Sequence, residues 1–123
     1  MPRERFSENH TFLPKRAFLS FEEIEKVVRS CMSLGLEKVR ITGGEPLLRK
    51  DLPRLIEMLS GLGIEIALTT NASLLKKEAK ALHSAGLTRV TVSLDALDPE
   101  LHRKMSDSNI SVDSVLEGID EAI

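Results

Sequence analysis

Thr42-Gly43-Gly44-Glu45-Pro46 lies between a predicted strand, residues 38–42, and a helix that Asp51 is placed to cap. Two glycines at the end of a strand let the backbone approach a ligand without interference from side chains. The carboxylate of Glu45 can accept hydrogen bonds from an amine. Two glycines alone would indicate an ordinary strand–helix turn. The complete string favours a loop that holds a small polar ligand at the mouth of a parallel sheet.

Strand and helix patterns alternate along the rest of the chain. Further strands are predicted near residues 64–70 and 89–94, each followed by a helical pattern. The predicted helix N-caps are Ser20, Asp51, Ser73, Asp98 and Ser111. The glycines predicted to end helices are Gly35, Gly61 and Gly86. This alternation predicts parallel βα units and an α/β fold.

Each predicted strand has one apolar and one polar face, whereas a fully buried parallel strand reads as a continuous apolar run. The face predicted to meet the helices carries Val39, Leu68 and Val92, and the concave face carries Arg40, Thr69 and Ser93. A polar inner face is typical of an open (β/α) barrel that binds a polar ligand. A face left to solvent because further chain would cover it is the alternative, and both can hold. Polar residues at strand ends favour a site.

The composition argues against a nucleic-acid-binding or membrane protein. The 123 residues correspond to one domain or part of one, and the net charge of −2 argues against a broad basic field for nucleic acid. The aromatic residues are four Phe, too few for base-stacking platforms. Neither a membrane-length apolar run nor a signal peptide is evident, which favours the cytoplasm.

The single cysteine, Cys31, excludes an internal disulfide and cannot by itself hold an iron–sulfur cluster. It is predicted to lie in the core on one helical face, formed by Ile24, Val27, Val28, Cys31 and Leu34. The three histidines lack metal-ligand spacing and are predicted to lie on the surface; they are His10, His83 and His102.

Several strings together resemble the family of radical S-adenosylmethionine (radical-SAM) GTP 3′,8-cyclases of molybdenum-cofactor biosynthesis (molybdenum cofactor biosynthesis protein A). The resembling stretches are residues 12–15, 19–24, 39–52, 68–71, 92–98 and 105–106. They extend over nearly the whole chain. The Gly-Gly-Glu-Pro string is shared by many radical-SAM enzymes, and the flanking strings narrow the resemblance to this family.

The resemblance implies part of an incomplete, TIM-like (β/α) barrel, with about three parallel strands and helices on one face. It implies S-adenosylmethionine as the radical source, GTP as the substrate, 4Fe-4S clusters in the full-length protein, and lyase activity. The implied S-adenosylmethionine contacts are Gly43, Gly44, Glu45, Asn71 and Ser93, and the implied GTP contacts are Arg40 and Thr69. Asp95 either binds a ribose hydroxyl or ties down the strand end. No catalytic or metal-ligating residue is implied within this chain.

The sequence also departs from the family pattern. The family places a Cys-x-x-x-Cys-x-x-Cys cluster motif just before Met-Pro, and this chain begins with Met1-Pro2. Residues 1–123 are therefore expected to be a partial radical-SAM domain, without the first strand, the cluster loop and the C-terminal part, and inactive alone. Ala72 replaces a family glycine, and a positive φ there would add strain of about 1 kcal/mol.

Other interpretations remain open from sequence. One is a small α/β nucleotide-binding module without catalysis, and another is a different radical-SAM enzyme. A third is an interaction piece whose strand edges pair with another chain. The expected partner is GTP, without nucleic acid or membrane. The resemblance allows a homodimer of the full-length protein, although the sequence does not decide the oligomeric state.

Overall fold

A computed structural model describes residues 18–106 and 109–123. Within these ranges, three parallel strands form one sheet in the order β1-β2-β3, so β2 pairs with β1 and β3 pairs with β2. The strands are β1 (Lys38–Ile41), β2 (Glu65–Thr70) and β3 (Arg89–Val92). The helices are α1 (Phe21–Met32), α2 (Leu52–Ser60), α3 (Leu75–Ser84), α4 (Pro99–Ser106) and α5 (Val112–Ala122). The predicted α/β order is confirmed. Met1-Pro2, His10 and the stretch 12–15 lie outside the described residues.

Three of the predicted caps are present. The hydroxyl of Ser20 accepts from the amide of Glu23 at 3.1 Å, and the Glu23 carboxylate accepts from the Ser20 amide at 2.7 Å, which completes a capping box. The Asp98 carboxylate accepts from the Leu101 amide at 2.8 Å, and the Ser111 hydroxyl accepts from the Ser114 amide at 3.2 Å at the start of α5. These side chains satisfy amides that a helix leaves unpaired in its first turn.

Two predicted caps are wrong. Asp51 immediately precedes α2, but its left-handed backbone (φ 59°) departs from the extended geometry of a capping residue, and its side chain makes no cap bond to the described residues. Ser73 lies one residue before the N-cap position of α3, which Leu74 occupies. The Ser73 amide instead donates to Asn71 Oδ1 at 3.0 Å, which forms a local turn ahead of the helix.

The register confirms the two-faced sheet. Ile41, Leu68 and Val90 pair across the three strands, and Leu68 is completely buried in the cluster formed with the helices. By alternation, Arg40 and Thr69 belong to the opposite, open face. Ser93 follows β3 two residues after Thr91, the register partner of Thr69, and so continues the open face.

The predicted apolar face of α1 is only partly correct. Val28 is buried and Ile24 and Cys31 are half-buried, but Val27 and Leu34 are 54% and 87% exposed. Leu34 follows the last helical residue, Met32, so helical periodicity no longer governs its direction. We infer that α1 packs along a narrow strip centred on Val28.

Ala72 has a φ of 61°, so the expected strain at this position is present. Ala72→Gly is expected to raise the free energy of unfolding slightly, by about 0.5 kcal/mol. The left-handed conformation destabilises a residue with a Cβ by about 1–2 kcal/mol. Burial of the alanine methyl group stabilises the folded state by about 0.8 kcal/mol, and this contribution is lost in the glycine variant. Urea denaturation followed by circular dichroism measures the change.

Ala79→Gly is the matched control, since Ala79 is a buried alanine inside α3. There the substitution loses a buried methyl group and about 1 kcal/mol of helix propensity, with no strain to relieve. The two variants should therefore change stability in opposite directions. A loss at Ala72 as large as the loss at Ala79 would contradict the assignment of strain.

Candidate functional site

The loop after β1 presents open backbone at the carboxyl edge of the sheet. Gly43 has a φ of +130°, a conformation that side chains rarely adopt, whereas Gly44 does not need glycine for its backbone angles. A Cβ built on either glycine would meet no atom of the described residues within 4 Å. Pro46 is buried and begins a short 3₁₀ turn, Pro46–Leu48, which anchors the loop. The glycine backbone therefore faces space that a ligand can enter.

Glu45 links this loop to the end of β2. Its Oε1 accepts from the Leu47 amide at 3.0 Å and from the Thr70 hydroxyl at 2.6 Å. Its Oε2 accepts from the Asn71 amide at 2.8 Å. An ionised carboxylate offers about four acceptor positions, so one remains after these three donors. The carboxylate thus stabilises the site and can still bind one further donor.

Asn71 and Ser93 lie at the same edge. The Asn71 amide donates to Glu45, and the side-chain carbonyl of Asn71 is engaged by the Ser73 amide at 3.0 Å. The Ser93 amide donates to the Thr70 carbonyl at 2.9 Å, and the Ser93 side chain is exposed. The structure therefore brings the predicted cofactor residues together. We define Gly43, Gly44, Glu45, Asn71 and Ser93 as the edge cluster.

Arg40 and Thr69, the predicted substrate residues, lie on the open face nearer the amino ends of the strands than the edge cluster. Arg40 is exposed and pairs in register with Ala67, two residues before Thr69. The Thr69 hydroxyl is buried and has no hydrogen-bond partner among the described residues. A buried hydroxyl without a partner carries an unfavourable desolvation cost, so this oxygen is an unusual feature of the open face.

Two further cations occupy this face. Lys38 Nζ lies 2.9 Å from Glu65 Oε1, and Arg89 Nε lies 3.6 Å from the same oxygen. The hydrogen bond from Lys38 is the main cause of a lowered pKa at Glu65; the charges of Lys38 and Arg89 act in the same direction and desolvation acts against them. Arg40 belongs to the same face by alternation, so this part of the face carries more positive than negative side chains. The open face therefore favours an anionic ligand.

Sequence reasoning missed some of these residues. Lys38 lies two residues before Arg40, so strand alternation alone would have assigned it to the same face. Thr70 was missed because alternation places it on the helix-facing side, where it is buried, 2% exposed. The signal for Thr70 was a hydroxyl on an otherwise apolar face.

His102 corrects a prediction, because the histidines were expected on the surface. Its side chain in α4 is 3% exposed, and its Nδ1 has no hydrogen-bond partner in the described part of the chain. The neighbouring Leu101 and Met105 are each 48% exposed, so α4 turns the histidine inward and leaves apolar residues outside. His83 is exposed, as predicted.

The site fits S-adenosylmethionine and does not fit an iron–sulfur cluster. The open glycine backbone and the remaining acceptor of Glu45 suit a ligand with an ammonium group. No group of three or more His, Cys, Asp or Glu side chains in the described ranges could hold a metal ion, and the only cysteine is Cys31 in α1.

None of the described helices combines the length and apolar character needed to cross a membrane.

Comparison with known proteins connects this geometry to a family. The family model of the Radical SAM superfamily matches residues 5–123. The chain is 52% identical over 124 residues to the GTP 3′,8-cyclase of Acidothermus cellulolyticus, covering 99% of this chain and 34% of that protein. It is 50% identical over 125 residues to the GTP 3′,8-cyclase of Staphylococcus carnosus, covering 100% of this chain and 37% of that protein.

A third relative, the GTP 3′,8-cyclase of Staphylococcus epidermidis, is 48% identical over 125 residues, again covering 100% of this chain and 37% of the relative. The chain thus spans about a third of the length of the curated relatives it matches. The match to the family model covers nearly all of the chain, including the glycine loop and the three described strands. On this basis, the chain belongs to the Radical SAM superfamily.

Proposed function

We propose that this chain is the central part of the radical-SAM domain of a GTP 3′,8-cyclase. The observation that carries the proposal is the arrangement of two ligand-binding regions on one sheet. An open glycine loop lies at the carboxyl edge, and the open face that carries Arg40 and Thr69 adjoins it. The relatives named GTP 3′,8-cyclase support the same conclusion, because their similarity extends over the whole chain.

The edge cluster is the proposed site for S-adenosylmethionine. Gly43 and Gly44 let the backbone meet the ligand closely, and Glu45 keeps an acceptor for its ammonium group. The exposed hydroxyl of Ser93 and the turn at Asn71 complete the edge. When bound, S-adenosylmethionine supplies the radical chemistry. The residues of this chain bind and orient it.

The open face is the proposed site for GTP. The guanidinium of Arg40 can form paired hydrogen bonds to a phosphate or to a purine edge. Thr69 offers a buried hydroxyl that still needs a partner. Lys38 and Arg89 share one carboxylate, Glu65, and so leave a net positive charge at the amino ends of the strands, which would attract a triphosphate to this face. Placement of GTP beside the edge cluster would bring the substrate close to S-adenosylmethionine.

The remaining features of the proposal concern the full-length protein. Its 4Fe-4S clusters would be held by residues other than those described here, because Cys31 is the only cysteine of this chain. We further propose a cytoplasmic lyase of molybdenum-cofactor biosynthesis that assembles as a homodimer and acts without nucleic acid or membrane partners. A reducing compartment suits such clusters and a free thiol.

A second candidate function is a nucleotide-binding module without catalysis. The lack of any cluster-holding group in the described ranges favours it for residues 1–123 taken alone. Under that alternative, GTP would bind to the open face and no S-adenosylmethionine would be cleaved. The two candidates therefore differ in a product that can be measured.

The full-length protein, reconstituted anaerobically with iron and sulfide, is expected to convert GTP to a cyclised product in the presence of S-adenosylmethionine and dithionite. Mass spectrometry should detect that product together with 5′-deoxyadenosine. The chain of residues 1–123 is the control, and it should show neither product nor a four-iron absorption band, because one thiolate cannot hold a cluster. GTP binding by the full-length protein without 5′-deoxyadenosine would favour the binding module.

A further inference from the structure

We propose that Thr70 is a positioning residue that orients Glu45 toward the ammonium group of S-adenosylmethionine. The inference rests on the proposed function, because it concerns the same edge cluster. Thr70 belongs to the helix-facing side of β2, and it does not touch the space in front of the glycine loop directly. Its effect on a ligand would therefore pass through Glu45.

The hydrogen bonds of Thr70 have a fixed direction. The amide of Ala72 donates to the Thr70 hydroxyl oxygen at 3.0 Å, so that oxygen acts as an acceptor. A hydroxyl carries one proton, and the 2.6 Å contact directs it to Glu45 Oε1. This length is typical of a hydroxyl that donates to a carboxylate. Because the group is buried, water has little access to replace this bond.

The consequence falls on the other oxygen of Glu45. With Oε1 held by Thr70 and Leu47, the plane of the carboxylate is fixed, and Oε2 accepts the Asn71 amide. One acceptor position is then left, with a defined direction. The ligand class it suits is a primary ammonium, which has three donors and no acceptor. Loss of the Thr70 hydroxyl would leave Glu45 free to rotate and would leave the Ala72 amide without its acceptor.

The test uses the full-length protein, reconstituted anaerobically, and calorimetry with three ligands. S-Adenosylmethionine and S-adenosylhomocysteine carry the amino-acid portion with its ammonium group, and 5′-methylthioadenosine lacks that whole portion. Thr70→Val is expected to weaken binding of the first two about tenfold and to leave 5′-methylthioadenosine within twofold of wild type. Thr70→Ser, which keeps the hydroxyl, should restore binding of all three ligands to within about twofold.

If Thr70→Val does not fold, a second variant still tests the role of the hydroxyl. Thr70→Cys replaces the hydroxyl by a weak donor of similar size, and it should give a loss between those of the serine and valine variants. A purely structural role would instead weaken all three ligands together. Equal losses for 5′-methylthioadenosine and S-adenosylmethionine, or full S-adenosylmethionine affinity in both the valine and cysteine variants, would overturn the inference.

The wild-type protein separates failure of this inference from failure of the proposed function. If wild-type protein does not bind S-adenosylmethionine, the proposed function is wrong and the inference falls with it. If wild-type protein binds it and the Thr70 variants bind equally well, only the role of Thr70 is wrong. Glu45→Gln is a further check, because it replaces one carboxylate oxygen by a donor; it should weaken the two ammonium ligands at least as much as Thr70→Val does.

Discussion

Gly86→Ala is expected to lower the free energy of unfolding by about 3 kcal/mol. Gly86 follows α3 with a φ of +101°, where a Cβ costs about 1–2 kcal/mol. That Cβ would also lie 2.6 Å from Oγ and 2.7 Å from Cβ of Ser60, an overlap worth about 1–3 kcal/mol. Ser60 cannot yield cheaply, because its hydroxyl donates to the Ala85 carbonyl at 2.9 Å. Urea denaturation measures the loss.

Gly35→Ala isolates the backbone contribution. Gly35 has a similar φ of +92°, but a Cβ there would meet no described atom within 4 Å, so the loss should be only about 1–2 kcal/mol. The double variant Gly86→Ala with Ser60→Gly removes both overlapping atoms and should lose less than the two single losses added together. Equal losses for Gly86→Ala and Gly35→Ala would show that the contact with Ser60 does not limit this position.

Gly44→Val in the full-length protein is expected to reduce affinity for S-adenosylmethionine about a hundredfold, with a smaller effect on GTP. A side chain at Gly44 would enter the space where the backbone must meet the cofactor. Arg40→Ala should do the reverse and weaken GTP about ten- to a hundredfold, because it removes a cation that forms charge-assisted bonds. Anaerobic calorimetry on the reconstituted protein measures both affinities.

In both variants, an effect on ligand binding can be distinguished from an effect on folding or on overall charge. A Cβ at Gly44 contacts no described atom within 4 Å and its backbone angles accept a side chain, so the valine variant should fold normally. Arg54→Ala is the matched control for Arg40→Ala, since Arg54 is an exposed arginine that pairs with Glu22 at 3.0 Å on the helical side. It should leave both affinities unchanged. Parallel losses of both ligands in either site variant would refute the assigned division of the site.

The fold followed from sequence because its signals are local and repeated. Alternation in three strands separated by helical patterns predicted both the parallel βα units and the open face, including Arg40 and Thr69. Capping was less predictable, because a residue type does not specify a backbone conformation. Asp51 has a type suited to capping, but it adopts a left-handed conformation. Ala72 could be flagged in advance only because the family resemblance supplied a glycine for comparison.

The parts of the site that sequence did not predict depend on contacts between distant residues. Glu45 was interpreted as a ligand contact, and its hydrogen bonds to Thr70 and Asn71 across 25 and 26 residues could not be read from the chain. Glu65, shared by Lys38 and Arg89, is a second such case. His102 is a third, because the inward direction of α4 depends on tertiary packing.

The sequential strand order also has a consequence for synthesis of the protein. Lys38 pairs with Glu65, and Ala67 pairs with Arg89, so β2 joins β1 and β3 joins β2, in the order of synthesis. Ribosomes add about 5–20 residues per second, whereas helices and short loops form in microseconds or less. Among the described strands, β2 and β3 therefore emerge when the strand that each pairs with already exists. Only β1 waits for a partner encoded downstream, which shortens the time that unpaired edges are exposed to aggregation on the ribosome.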